Sequence, residues 1–281
     1  MAMKYIDAHS HVWTPDTKAY PLGPGQRRFN MSPKSFTDDE LLALAGPVGV
    51  NRVVLIQMSF YAYDNSYMLD AIHKRPKAFV GVAVIDEDGR RPDVEMIKLK
   101  GMGVSGFRIY PKNRKKDDWL GSDGMHTMWT AAAKENLQMC CLMDADELPA
   151  LDRMCRNFPD TPVVIDHLCR IGVSGKIDPK EVKALCDMAR HKNVTVKVSA
   201  FYALGKKQAP YHDLGPMIKQ VYDAFGPERL MWATDCPFQA EKGHTYKESI
   251  DLIKNGLAFL SADDKEHLLR KTAERVFFSG K

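Results

Sequence analysis

The chain has 281 residues, enough to bury the core of one barrel-sized domain or of two ordinary domains. Its formal net charge of +4 at pH 7 gives no reason to expect nucleic acid as a main partner, whereas local positive charge can attract small anionic substrates. No apolar segment is long enough to cross a bilayer and no signal-peptide pattern is visible, so we expect no membrane partner and a cytoplasmic location.

The cysteine pattern agrees with a reducing compartment. Six cysteines are present and none of them forms a Cys-x-x-Cys pair, so most are predicted to be small buried side chains. Cys236 follows a candidate catalytic aspartate, but the sequence pairs no activating base with it. A cysteine nucleophile is therefore not favoured.

Short apolar runs alternate with amphipathic segments along the whole chain. The runs predict strands at residues 5–9, 52–60, 78–85, 104–110, 137–144, 161–168, 194–201 and 230–237. Helical periodicity is found at residues 35–45, 65–74, 93–100, 125–136, 147–157, 179–191, 214–225, 246–255 and 262–277. Residues 53–56 and 163–165 are continuously apolar, which is typical of parallel strands buried on both faces.

Eight strand–helix repeats with short connections favour a closed (β/α)8 barrel, or TIM barrel, as a single α/β domain over residues 1–281. A doubly wound open sheet is the main alternative. No Gly-x-Gly-x-x-Gly follows the first strand, so a dinucleotide-binding fold has little support. Irregular residues 14–34 are expected over the barrel mouth, and the charged run within the irregular stretch 111–124 is expected in a solvated loop.

The first predicted strand ends in Asp7, His9 and His11. Because side chains on a strand repeat every second residue, the spacing predicts that all three point to one face. Two imidazoles so placed can hold a metal ion or orient an anionic substrate. A pair of ordinary surface histidines is the simpler alternative.

Polar residues end most of the predicted strands, and the carboxyl ends of the strands carry the chemistry in a (β/α)8 barrel. The residues at these ends are His9, His11, Gln57, Ser59, Arg108, Tyr110, Asp144, Asp166, His167, Lys197, Ser199, Thr234 and Asp235. Each residue taken alone is a weak signal. Together they predict a site, because burying so many polar groups in an apolar core would be costly unless they paired.

Several of these segments resemble one known family. Residues 7–13 followed by Tyr20 and Pro21 are similar to the opening of the amidohydrolase-related (amidohydrolase 2) branch of the amidohydrolase superfamily. The likeness is greatest to its lactonase group, which includes 2-pyrone-4,6-dicarboxylate lactonase, sulfomuconolactone hydrolase and fuconolactonase. Residues 165–168, 196–199, 232–237 and 273–277 resemble later segments of that group, with Cys236 in place of its usual tryptophan.

The resemblance implies that His9, His11 and Asp235 bind a divalent metal, usually zinc, with His167 or Asp144 as a further ligand. The chain departs from the metal-dependent pattern because strands four and five offer no histidine. Two imidazoles and one carboxylate still give zinc three protein ligands and an open position. Since the pyrone-dicarboxylate type works without metal, the sequence leaves zinc-loaded and metal-free sites both open.

The function expected from the resemblance is hydrolysis of a lactone in a small carboxylated substrate. Asp235 is predicted as the general base, with His167, His9 and His11 polarising the carbonyl, with or without metal. Arg108 is predicted to bind a substrate carboxylate, with an ion pair inside the barrel as its alternative role. Tyr110, Ser59, Gln57 and Tyr20 are weaker candidates for substrate contacts.

Two other functions stay open from the sequence. One is a metal-dependent, non-oxidative decarboxylase of an aromatic or unsaturated acid, although the missing histidine on strand five counts against it. The other is a barrel that binds a small metabolite without turnover. The oligomeric state, including a homo-oligomer, is not determined by the sequence.

Overall fold

The computed structural model describes residues 4–111 and 119–279. Eight parallel strands form one sheet in which spatial order follows chain order. They are β1 (Tyr5–Ser10), β2 (Val50–Ile56), β3 (Phe79–Ala83), β4 (Val104–Ile109), β5 (Gln138–Cys141), β6 (Val163–Ile165), β7 (Val194–Val198) and β8 (Leu230–Trp232). The backbone N–H of Asp235 donates to the carbonyl of His9, and that of His11 donates to Cys236, both at 2.8 Å. These bonds join the chain beyond β8 to β1, so the predicted (β/α)8 barrel is confirmed.

Helices connect the strands on the outside of the sheet. They are α1 (Asp38–Ala45), α2 (Ser66–Lys74), α3 (Pro92–Gly101), α4 (Asp123–Glu135), α5 (Leu148–Asn157), α6 (Pro179–Asp187), α7 (Gly215–Phe225), α8 (Tyr246–Asp251), α9 (Ala262–Glu266) and α10 (Thr272–Phe277). Thr37 and Ser122 accept hydrogen bonds from the first turns of α1 and α4, which fixes where these helices begin. None of the described helices combines the length and the apolarity needed to span a membrane.

The core has two layers because alternate strand residues face opposite sides of the sheet. Inside the barrel, small and branched side chains pack together and α10 closes the end where the strands begin, through Val276 and Phe277. Between the sheet and the helices lies a larger layer that includes Phe79, Phe107 and Trp232. The end where the strands finish is left open for polar groups.

All strands except β1 end earlier than the sequence predicted. The second strand was expected over residues 52–60 and the eighth over 230–237, but they end at Ile56 and Trp232. The polar residues that follow leave the hydrogen-bonded ladder and form the mouth of the barrel. Residues 14–34 lie beside this mouth, where Gly23 N–H donates to the carbonyl of Phe60 at 2.8 Å. The charged segment 112–118 lies outside the described residues.

Candidate active site

The side chains of Asp7, His9 and His11 do not share one face, so this expectation was wrong. The register of β1 against β2 shifts between Asp7 and Ser10, which breaks the two-residue repeat. Asp7 consequently accepts hydrogen bonds from Thr234 and from Tyr246 of α8, on the outer side of the sheet. The two histidines turn into the barrel mouth and are almost completely buried there.

Asp235 is the centre of the polar cluster. Its Oδ1 lies 3.1 Å from His11 Nε2, 3.4 Å from His9 Nε2 and 3.9 Å from His167 Nε2. Its other oxygen, Oδ2, accepts a hydrogen bond of 2.7 Å from the hydroxyl of Tyr202. Burial alone would raise the pKa of Asp235, but the electrostatic interaction with His167 and the His11 hydrogen bond hold this pKa below its ordinary value. The carboxylate is therefore ionised at neutral pH.

His11 has a tautomer set by the backbone. Its Nδ1 lies 2.8 Å from the carbonyl of Ile56, and a carbonyl can only accept, so Nδ1 carries a proton. In a neutral ring, Nε2 then presents a lone pair to Asp235 Oδ1 at 3.1 Å. Two lone pairs at this distance repel each other unless a proton or a metal ion lies between them.

His9 stands above a buried ion pair. Lys197 Nζ lies 3.0 Å from Asp166 Oδ1 and 3.2 Å from His9 Nδ1, and all three side chains are fully buried. Although burial alone would raise it, the Lys197 ammonium holds the pKa of Asp166 well below its ordinary value. Burial, reinforced by the same ammonium, lowers the pKa of His9 well below its ordinary value. His9 is thus a neutral imidazole whose Nδ1 side contacts Lys197 and Asp166.

His167 begins a turn of unusual backbone. Four consecutive residues, His167 to Arg170, have φ between 50° and 56°, in the left-handed region. Each such residue costs about 1–2 kcal/mol, and strain of this kind is concentrated at functional sites. The turn directs His167 and Arg170 into the same cavity. Burial lowers the pKa of His167, although Asp235 acts in the opposite direction, and Ser199 Oγ lies 2.9 Å from its Nδ1.

A cavity of about 350 Å³ opens above these groups, a size suited to a small organic substrate. Arg108, on β4, lines it, and its Nε is buried with no hydrogen-bond partner among the described residues. The alternative role for Arg108, an ion pair with a barrel carboxylate, is not found within residues 4–111 and 119–279. A guanidinium nitrogen without a partner in this part of the chain could donate to a substrate carboxylate.

The remaining predicted contacts are divided between the cavity and the surface. Gln57, Ser59 and Tyr110 line the cavity, and the amide of Gln57 also donates to the carbonyl of Asp64. Tyr20 does not line it, because its hydroxyl donates to Asp70 at 2.8 Å beside α2.

Asp144 is also away from the histidine cluster. It is half-exposed and pairs with Arg170 at 3.1 Å, so the structure does not bring it to the other candidate ligands.

Tyr202 is the site residue that the sequence did not single out. It follows β7 in a loop whose sequence carries no motif, and only the folded chain brings its hydroxyl to Asp235. Lys197 and Asp166 were visible as strand-end residues, but nothing in the sequence indicated that they form a buried pair under His9. Cys236 is fully buried, and burial raises the pKa of its thiol well above the ordinary value, which argues against a nucleophile.

The donor set fits a divalent metal ion. The ligand atoms of His9, His11 and Asp235 lie within 4.8 Å of one another, and a second such group joins His9 and His167 to Asp166. Ligand atoms around a tetrahedral zinc ion are about 3.3 Å apart, close to the 3.1 and 3.4 Å found here. His9 Nε2 is buried without a hydrogen-bond partner among the described residues, which is compatible with a role as a metal ligand. Asp166 behind His9 is the carboxylate that metal-bound histidines commonly contact.

Fold and site together define a barrel enzyme with a buried imidazole–carboxylate centre at the carboxyl ends of its strands. The profile of the amidohydrolase family matches residues 6–278, and the chain belongs to this family. It is 30% identical over 248 residues to a 2-pyrone-4,6-dicarboxylate hydrolase of Comamonas testosteroni, covering 85% of this chain and 78% of that protein. It is 27% identical to an L-fucono-1,5-lactonase of Burkholderia ambifaria, covering 85% and 82%.

Solved structures share the fold over the full chain. A Pseudomonas putida protein assigned as a 2-pyrone-4,6-dicarboxylic acid hydrolase superimposes with a TM-score of 0.83 at 22% identity, covering 100% of both chains. A Burkholderia multivorans amidohydrolase solved with bound zinc gives 0.83 at 19% identity, covering 98% and 99%. A 5-carboxyvanillate decarboxylase of Sphingomonas paucimobilis is more distant, with a TM-score of 0.67 at 14% identity and 99% coverage of both chains.

Proposed function

We propose that this protein hydrolyses the ester bond of a small carboxylated lactone. The observation that carries the proposal is the convergence of one ionised carboxylate and three imidazoles below a cavity lined by Arg108, whose Nε has no hydrogen-bond partner among the described residues. The family membership and the two curated relatives, both named for the opening of lactones, support the same reaction.

Arg108 and Asp235 have different roles toward the substrate. Arg108 binds the carboxylate of the substrate through its planar guanidinium and so places the lactone carbonyl over the imidazoles. Asp235 accepts a proton from the attacking water as general base. Because its pKa lies below the ordinary range, Asp235 is a weak base, and much of the rate must come from stabilising the oxyanion.

His167 is placed to provide that stabilisation. Its Nδ1 lies 2.9 Å from Ser199 Oγ, and in the tautomer that carries the ring proton on Nε2, this nitrogen can donate to the oxyanion. His9 and His11 hold the floor of the site. When bound, a divalent cation supplies positive charge that polarises the lactone carbonyl.

We further propose that the cation, where the enzyme uses one, is zinc held by His9, His11 and Asp235, with His167 as the nearest further ligand. The imidazole and carboxylate donors suit zinc, and the neighbour solved with zinc supports this choice. The decarboxylase alternative has less support, because β5 supplies no histidine to hold a metal firmly and the decarboxylase fold is the more distant match.

We also propose a cytoplasmic location and a small anionic binding partner. All six cysteines are free thiols, which supports a reducing compartment and hence the cytoplasm. The partner we propose is the small anionic lactone or the acid formed from it.

Replacing Asp235 by Asn tests the proposal. The amide keeps the shape of the side chain but cannot accept the proton from water, so we expect kcat to fall by about 10²–10⁴-fold. Ligand binding, measured by calorimetry with a substrate analogue, should persist. Asp144→Asn is the matched control, because this carboxylate also follows a strand at the mouth but stands outside the imidazole cluster. An unchanged rate in Asp235→Asn would contradict the general-base role.

A further inference from the structure

A fully buried lysine lies under the active site without a role in the proposed reaction. The ammonium of Lys197, on β7, is 3.0 Å from Asp166 Oδ1 and 3.2 Å from His9 Nδ1. It also lies over the ring of Phe277 of α10, with 5.3 Å between Nζ and the ring centre. Taking an ammonium out of water is costly, and these three neighbours offset part of that cost. Lys197 acts on the site through His9, whose other nitrogen faces Asp235.

The contact with Lys197 determines which nitrogen of His9 carries the ring proton. An ammonium has three N–H groups and no lone pair, so it can only donate. At 3.2 Å, His9 Nδ1 therefore presents its lone pair to Lys197, and the proton of the neutral ring stands on Nε2. The Asp235 carboxylate attracts this proton, because its Oδ1 is 3.4 Å from Nε2. In this tautomer His9 has no lone pair on Nε2 to offer to a metal ion.

A metal ion at His9 Nε2 requires the other tautomer. The ligand is then a neutral imidazole whose Nδ1 keeps the proton and commonly donates it to a carboxylate. Asp166 can accept this proton, since its Oδ1 is 3.5 Å from Nδ1 and neither of its oxygens has a hydrogen-bond partner among the described residues. Lys197 would then point an N–H at an N–H, and its positive charge would repel the metal ion. The buried pair thus offers a partner to each tautomer, and the lysine contact is the shorter of the two.

We infer that Lys197 holds His9 in the tautomer protonated on Nε2 and thereby weakens zinc binding at the imidazole–carboxylate centre. Lys197 is a positioning residue that sets the metal affinity of this centre, whereas Asp166 beside it supports a bound metal ion. This role rests on the proposed zinc site and is independent of the substrate. A protein that hydrolyses no lactone would refute the proposed reaction and leave the role of Lys197 unaffected.

Substitutions of the two partners in the buried pair should have opposite effects on zinc affinity. Lys197→Met keeps the length of the side chain but removes its charge and its N–H groups, so we expect the dissociation constant for zinc to fall by about tenfold or more. Asp166→Asn takes the carboxylate from behind His9 and should raise the same constant by about 10–100-fold. Isothermal titration calorimetry of the chelator-stripped proteins with zinc measures both constants.

Lys219→Met is the matched control, because it removes an exposed ion pair with Asp223 on α7 and should leave zinc affinity unchanged. His11→Asn introduced into Lys197→Met should abolish the gained affinity, which would place the zinc at the same centre. Weaker zinc binding in both Lys197→Met and Asp166→Asn would mean that the pair has only a structural role. Unchanged affinity in folded Lys197→Met would equally overturn the inference.

The tautomer of His9 can also be measured in the unmodified protein, which decides the matter if Lys197→Met fails to fold with a buried carboxylate left unpaired. Two-bond proton–nitrogen NMR spectra of metal-free protein, labelled at its histidine nitrogens, reveal which nitrogen of each ring is protonated. His9→Asn identifies the His9 signals. A proton on Nε2 supports the role of Lys197, and a proton on Nδ1 overturns it.

Discussion

Tyr202 and Asp235 show how one side chain outside the predicted set can determine the geometry of a site. The hydroxyl of Tyr202 donates to Asp235 Oδ2 at 2.7 Å, which leaves Oδ1 turned toward the three imidazoles. Burial raises the pKa of the Tyr202 hydroxyl far above its ordinary value, so it stays a donor at every physiological pH. Tyr202 is therefore a positioning residue for the carboxylate that we assign as general base.

Tyr202→Phe should lower kcat with little change in KM, because the tyrosine holds Asp235 and makes no proposed contact with substrate. A hydrogen bond to a charged group is worth about 1.5–3 kcal/mol, which corresponds to roughly a 10- to 150-fold loss of rate. Steady-state kinetics with separate kcat and KM values provide the measurement. Tyr20→Phe removes a comparable hydroxyl–carboxylate bond outside the cavity and should leave both constants unchanged. Similar losses in the two variants would contradict the positioning role.

At the level of residues, the sequence predicted types and approximate places but not contacts. His9, His11, His167, Asp235 and Arg108 were expected at strand ends. The folded chain places all of them except His9 at one cavity, and His9 lies buried beside His11 and Asp235. Tyr20 was expected beside the substrate from the resemblance alone, and the structure puts it at the surface of α2. Local patterns cannot show which loop residue, such as Tyr202, reaches across to a distant strand.

One buried carboxylate strengthens the junction between β1 and the chain beyond β8. Asp7 accepts hydrogen bonds from the backbone and hydroxyl of Thr234 and a bond of 2.7 Å from Tyr246 of α8. Burial raises the pKa of Asp7 to about 6, although these donors act in the opposite direction. This side chain thus adds to the backbone hydrogen bonds between the first strand and the chain beyond the last strand, and it links both to α8.

Tyr246→Phe should weaken this junction and lower the free energy of unfolding by about 1.5–3 kcal/mol. Because the pKa of Asp7 is higher in the folded state than in the unfolded chain, its contribution to stability is present below about pH 4 and declines as pH rises through 6. Losing a donor to the ionised form should raise this pKa further, so the destabilisation should be larger at pH 8 than at pH 5. Urea denaturation at both pH values measures it.

Tyr222→Phe is the matched control for the junction. It removes a hydroxyl that pairs with Asp264 at the protein surface, where such pairs contribute little. We expect a loss below 1 kcal/mol that does not grow between pH 5 and pH 8. A loss in Tyr246→Phe that is equally small, or larger at pH 5, would show that Asp7 does not hold the junction.

Elements were predictable where one periodicity extended over many residues. All eight strands were found, because β-branched runs buried on both faces give a strong signal. Except in β1, their carboxyl ends were placed too late, since polar residues continue the alternating pattern after the chain has left the ladder. The expected helix over 262–277 is helical throughout, with a π-helical segment at His267–Lys271 between α9 and α10. The shift of register in β1 gave no local signal.

The whole molecule creates the site by closing the barrel. His9 and His11 come from the first strand, while Asp235 follows the last strand, more than 220 residues later. Closure brings the Nε2 atoms of both histidines within 3.4 Å of Asp235 Oδ1. Below them lies the fully buried Lys197–Asp166 pair. Because this group of donors exists only in the folded chain, metal binding to it would also stabilise the fold.

Zinc added to protein stripped of metal with a chelator should raise the melting temperature. At a free concentration 100 times the dissociation constant, a bound ion stabilises the folded state by about 2.7 kcal/mol. For a domain of this size, that corresponds to roughly 5–10 °C, measurable by scanning calorimetry. His11→Asn should abolish the shift, while His73→Asn, on the exposed face of α2, should retain it. A full shift in His11→Asn would place the zinc elsewhere. No shift in the unmodified protein would mean that a proton, shared between His11 Nε2 and Asp235 Oδ1, takes the place of the metal ion.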